Sequence, residues 1–133
     1  MKPNPVELKM VTSSLYEQCP FILFAIVSGI DAEGRVNLPD HVELSVMLER
    51  NTGFCFALEK ILPVLSERIT GVQCEVVFLN RVDAVTRFNA SNSRCLFIRS
   101  GQEQIYRRFI QQARLDYNIL RAQFRLNGMI RND

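Results

Sequence analysis

The sequence predicts an α+β domain, a small mixed sheet of about three to four strands covered by helices. Three observations carry that expectation. Phe21–Ser28 is an unbroken apolar run, as expected of a strand buried on both faces. His41–Leu48 alternates, with Val42, Leu44 and Val46 set between His41, Glu43 and Ser45. Ile105, Phe109, Ala113, Tyr117, Leu120 and Phe124 recur at steps of three and four, one apolar stripe along a long helix.

From the N-terminus, Pro5–Gln18 reads as a helix with Val6, Met10, Leu15 and Tyr16 as its apolar positions, stopped by Cys19-Pro20. The strand Phe21–Ser28 ends at Gly29. Ile30–Pro39 is a loop punctuated by Gly34 and Pro39, too short for a helical crossover, so the strands on either side are antiparallel neighbours. Phe54–Ile69 is helical by period, with Phe54, Leu58, Ile61, Leu62 and Leu65 apolar, and Pro63 is expected to kink or divide it. Gly71 ends this helix and Cys74–Leu79 forms a third strand. A helix separates it from the second strand, which favours a parallel pair. Asp83–Asn92 reads as a short helix and Cys95–Ile98 as a short extended piece, and Ser100-Gly101 opens the last helix. No repeat, low-complexity tract or linker interrupts the chain. Residues 1–133 are expected to form a single domain, with a sheet core over 1–100 and a helical extension over 101–133.

Composition narrows the class. The chain has 133 residues, 47% hydrophobic and 23% charged, enough for one packed core and against disorder. It has no apolar run of about 18 residues, so no membrane span is expected. Met1-Lys2-Pro3-Asn4-Pro5 lacks the apolar stretch of a signal peptide, so a cytoplasmic location is expected. Cys19, Cys55, Cys74 and Cys95 lie about 20 or more residues apart and His41 is the single histidine, a pattern of reduced thiols and not of a zinc module. Charge is uneven: eight Lys/Arg against eleven Asp/Glu over 1–93, then eight Arg against three acids over 94–133. The basic tail suits RNA, a phosphate, an acidic partner or the acidic first part of its own chain. The net charge of +2 is too small to announce a nucleic-acid binder.

One constellation carries chemistry. His41 and Glu43 project from one strand face because strand periodicity is two, and Glu75 stands near the start of a strand that can lie alongside. Three metal-liganding side chains on adjacent strands below a glycine loop is the geometry of a two-metal phosphoryl-transfer site. Gly29 and Gly34 would let backbone N–H groups approach a triphosphate, and the carboxylates would hold Mg²⁺. The plainer alternative is an exposed strand face without metal, with both glycines serving turns.

These residues resemble the minimal nucleotidyltransferases, the small DNA polymerase β-like type that accompanies HEPN-domain partners. The family pattern is an apolar strand into Gly-Ser, ten residues, then Asp-x-Asp, with a third Asp on a later strand. Phe21–Ser28, Gly29-Ile30, ten residues containing Gly34, and His41-Val42-Glu43-Leu44 run in that register without a gap. Glu75 stands at the third Asp, Leu79-Asn80 resembles the following Leu-Asn, and the resemblance extends to about Tyr117. It implies a polymerase β palm-like fold with C-terminal helices, catalytic and metal positions at His41, Glu43 and Glu75, and nucleotide-loop positions at Gly29, Ile30 and Gly34. The departures bear on activity. Ile30 replaces the loop Ser, His41 and Glu43 replace the two strand Asp, Glu75 lengthens the third arm, and Asp31 and Glu33 make the loop acidic.

The resemblance therefore implies a degenerate site and an antitoxin-like or regulatory protein, a pseudoenzyme partner of a HEPN-type protein. The alternative is an active enzyme transferring AMP or another nucleotidyl group to a protein or small molecule, using Mg²⁺ or Mn²⁺ with a nucleoside triphosphate. An RNA-binding module ranks last, because Trp is absent and no RNA motif is visible. A homo-oligomer is expected, its contact including the helix Gln102–Arg125, where Arg107, Arg114, Arg121 and Arg125 drift along one side. No membrane or nucleic-acid partner is expected.

Overall fold

A computed structural model describes residues 8–30, 41–69 and 71–131. Along the chain run α1 (Leu8–Gln18), β1 (Ile22–Ser28), β2 (His41–Leu48), α2 (Phe54–Arg68), β3 (Gln73–Phe78), a short 3-10 turn (Leu79–Arg81), α3 (Ala84–Ser91), β4 (Arg94–Ile98) and α4 (Glu103–Arg131). The four strands form one sheet in the order β3-β2-β1-β4. β1 is antiparallel to both β2 and β4, and β2 is parallel to β3. The expected α+β class with a mixed four-stranded sheet is what the structure contains.

β1 lies inside the sheet, which is why its sequence carries no polar alternation. Its pairing register slips between Ile22 and Phe24 against β2. The irregularity shifts the parity of the strand: Ile22, Ala25 and Val27 face the core under α1 and α2, whereas Phe24 and Ile26 face α3 and α4. β2 keeps strict alternation. Val42, Leu44, Val46 and Leu48 enter the α1/α2 core, so His41, Glu43, Ser45 and Met47 line the other face. On that second face Phe24, Ile26, Leu79, Ala90, Phe109 and Ala113 form a smaller core. α3 and the first turns of α4 thus roof one end of the face and leave the His41 end outside that cluster.

Two polar side chains close the fold. Asn80 accepts a hydrogen bond from the Leu48 N–H at 2.9 Å and donates one to the Leu48 carbonyl at 3.0 Å. The β2/β3 register pairs Val46 with Phe78, so the Asn80 amide stands two residues on, where the next backbone pair would be. Arg99 donates through Nε to the Ile22 carbonyl and through Nη2 to the carbonyls of Tyr16 and Cys19. Its guanidinium also stacks 4.1 Å from the Tyr16 ring centroid. It ties the C-terminal end of α1 to the start of β1, where carbonyls lack helical partners.

Several expectations need correction. The described part of α1 begins at Leu8, with Pro5 and Val6 outside the described residues, and its buried face is Val11, Ser14 and Leu15, while Met10 is exposed. In α2 the inward positions are Ala57, Ile61, Val64 and Leu65, leaving Leu62 in solvent. Pro63 neither divides nor ends α2, which is one helix through Arg68. It sits exposed, where water can satisfy the carbonyl one turn back that its missing N–H leaves free. The stripe on α4 is buried only at Phe109 and Ala113; Tyr117 is half-buried, stacked on Phe88 at 3.8 Å, and Ile105 and Phe124 are exposed. Among the described residues no helix is long and apolar enough to cross a membrane, and all four cysteines are free thiols.

Candidate metal and nucleotide site

The site is set by the parallel pairing of β2 with β3. His41 lies opposite Gln73 and Glu43 opposite Glu75. Two carboxylates directly across a strand pair repel each other, a pairing that normally costs stability. His41 precedes Glu43 by two residues and so joins it on the same face. The ligand atoms of His41, Glu43 and Glu75 all lie within 4.8 Å of one another. His41 and Glu43 are half-buried and Glu75 is exposed, so the cluster opens to solvent. The structure brings together all three residues that the sequence marked as metal and catalytic positions.

Of the loop positions, Gly29 adjoins the cluster. Its φ is +85°, and a Cβ there would collide with the His41 carbonyl oxygen. Only glycine allows the end of β1 to cross this close to the first residue of β2. Ile30 follows, half-buried, with its side chain packed on the α1/α2 core, so it turns to the face opposite the cluster. Gly34, Asp31 and Glu33 lie outside the described residues. Ser45, the next residue along the His41 face, is buried at 3% exposure and forms part of the floor; only strand alternation marks it in the sequence.

The donor chemistry discriminates among cations. One imidazole and two carboxylates suit Mn²⁺ or Zn²⁺, whereas Mg²⁺ prefers oxygen donors and retained water. The three side chains therefore fit a divalent ion of borderline character. They fit the Mg²⁺–triphosphate pair less well, since the Ile30 side chain carries no hydroxyl and lies on the other face.

No protein-family model matches the chain, and no curated protein does. Solved structures do. A mutant of the MntA–HpeT toxin–antitoxin pair superposes with a TM-score of 0.70 at 14% identity, over 93% of this chain and 98% of that one. The fold is that of MntA, a minimal nucleotidyltransferase. The parent MntA–HepT structure gives a TM-score of 0.63 at 12% identity, over 92% and 96% of the two chains. A Shewanella oneidensis structure, a tri-AMPylated HEPN toxin in complex with an MNT antitoxin, gives 0.64 at 12% identity, over 92% and 95%. The MntA fold spans the sheet and α4 together, in keeping with Phe109 and Ala113 of α4 being core residues.

Proposed function

We propose that this chain is an antitoxin-like binding partner of a HEPN-type protein, built on a nucleotidyltransferase fold whose catalytic site is degenerate. The observation that carries the proposal is the donor set. Where the family resemblance calls for three aspartates, the converging residues are His41, Glu43 and Glu75. Each glutamate adds a methylene to its arm, and displacing a reacting group by about 1 Å can cost ~10²-fold in rate. The loop serine is Ile30, whose side chain belongs to the opposite core. The likeness to MntA, seen in structures of toxin–antitoxin complexes, supports the class of partner.

The test is calorimetry with ATP and either Mg²⁺ or Mn²⁺, where no metal-dependent heat is expected at micromolar protein. The double variant His41→Asp, Glu43→Asp should gain Mg²⁺ binding while folded, since it restores an oxygen-only donor set. Co-expression with a HEPN-type protein should yield a stable complex with the unmodified chain. A second reading is favoured by the close convergence of the three donors within 4.8 Å: a metal-dependent nucleotidyltransferase served by Mn²⁺. A micromolar, Mn²⁺-dependent heat of ATP binding that His41→Ala abolishes would select it.

A further inference from the structure

α4 carries a second line of residues that its own fold does not cover, apolar at Ile105, Leu115 and Ile119 and polar at Arg108 and Gln112. Phe109, Ala113, Tyr117 and Leu120 face the sheet and α3. Ile105, Arg108, Gln112, Leu115, Ile119 and Ala122 follow one another at steps of three and four, and the sequence keeps that spacing at Leu126 and Met129. At 3.6 residues per turn this line runs roughly 120° around the helix from the buried one. Ile105 is 40% exposed, Leu115 54% and Ile119 49%. Three large apolar side chains exposed along one side of a helix suit contact with a second surface. Arg107, Arg114, Arg121 and Arg125 occupy a third, basic side, distinct from both lines.

Beside the first half of this line lies an open groove of about 510 Å³, walled by Met47 of β2, Arg87 of α3, and Ile105, Arg108 and Leu115 of α4. Arg87 Nε is buried and has no hydrogen-bond partner among the described residues. Among the described residues no carboxylate lines the groove. A buried guanidinium N–H without an acceptor is costly, and two arginines beside an apolar wall call for an incoming acid. The groove lies about four residues of β2 beyond Glu43, on the order of 13 Å along the strand, so it is separate from the His41 cluster.

We infer that a second copy of this chain fills the groove, the two α4 helices lying antiparallel about a two-fold axis near Gln112. The helix is self-complementary about that residue. Ile105 and Ile119 lie seven residues to either side of it, and Arg108 and Asp116 lie four to either side. An antiparallel pair about Gln112 sets Ile105 against the partner's Ile119 and brings Arg108 within reach of the partner's Asp116. Both contacts occur twice, as an isologous interface requires. In the single chain Asp116 accepts a 2.8 Å hydrogen bond from the Gln112 amide. Residues 109–119 of each helix then lie opposite the groove-lining span 105–115 of the other, and Asp116 is the acid this places beside a groove arginine. This pairing is independent of the HEPN proposal, which concerns a different partner.

The test is sedimentation equilibrium or light scattering of the full chain, with far-UV circular dichroism to confirm folding of each variant. The full chain should be a dimer. Arg108→Asp and Asp116→Arg should each weaken it at least about tenfold, and the double exchange should restore it. Ile119→Glu, at a position exposed in the single chain, should give a folded monomer. A monomeric full chain at about 100 μM, a dimer indifferent to Ile119→Glu, or a charge exchange that fails to restore association would each overturn the inference.

Discussion

Arg99→Met removes three hydrogen bonds at once while keeping most of the side-chain volume. The carbonyls of Tyr16, Cys19 and Ile22 accept from the guanidinium at 3.1, 3.1 and 2.8 Å. Hydrogen bonds to a charged group are worth about 1.5–3 kcal/mol each. Arg99 is only half-buried, so water can replace part of what is lost, and two of the bonds share one nitrogen. Adding the contact with the Tyr16 ring, the net cost comes to about 3 kcal/mol. For a domain of this size that corresponds to a fall in Tm of roughly 10 °C. Arg99→Lys keeps the charge but offers a point donor in place of a planar fork, and should lose about half as much. Urea unfolding followed by circular dichroism measures both, with the exposed Arg94→Met expected to change stability by less than about 0.5 kcal/mol. If Arg99→Met costs no more than Arg94→Met, the guanidinium does not tie α1 to the sheet and the argument fails.

Other outcomes follow from the same contacts. Asn80→Ala should cost about 1–2 kcal/mol in chemical denaturation, because Leu48 loses the amide that meets both of its backbone groups. Gly29→Ala should cost about 2 kcal/mol or more, combining a positive φ with a collision against the His41 carbonyl, and a Tm within 2 °C of the parent would contradict it. Asp83 caps α3 by accepting from the Thr86 N–H, which holds its carboxyl below the ordinary value of 3.8. The stability it supplies is therefore full above the unfolded value and lost as pH falls through the lower folded one. Asp83→Asn should flatten that acid limb of the stability profile and leave the neutral region nearly unchanged. Among the thiols, burial raises the pKa of Cys19, Cys74 and Cys95, while Cys55 is exposed. Mass spectrometry after brief alkylation of the native protein at pH 8 should find Cys55 labelled first and Cys19 last.

The strands, their order in the chain and the pairing directions of the first three were legible because each has a local cause. An apolar run without alternation marked the inner strand β1, strict alternation marked the one-sided face of β2, and loop length separated antiparallel from parallel neighbours. The same alternation placed His41 and Glu43 together, and the helix before β3 allowed Glu75 to join them. What tertiary structure decided are the facts that need two distant segments at once. The inward face of α1 is Val11 and Leu15 and not Met10, because both choices are apolar and only the position of the sheet selects between them. Ile30 sits at a nucleotide-loop position of the family pattern, yet its side chain turns to the α1/α2 core. The three carbonyls that meet Arg99 belong to residues 77 to 83 positions earlier, and no local pattern in the sequence marks such a contact. α4 has apolar residues on two sides, and packing against α3 and Phe24 decides that Phe109 and Ala113 become core while Ile105, Leu115 and Ile119 stay at the surface. Periodicity is a property of one helix or strand and can be read from it, whereas burial is a property of the pair that meets.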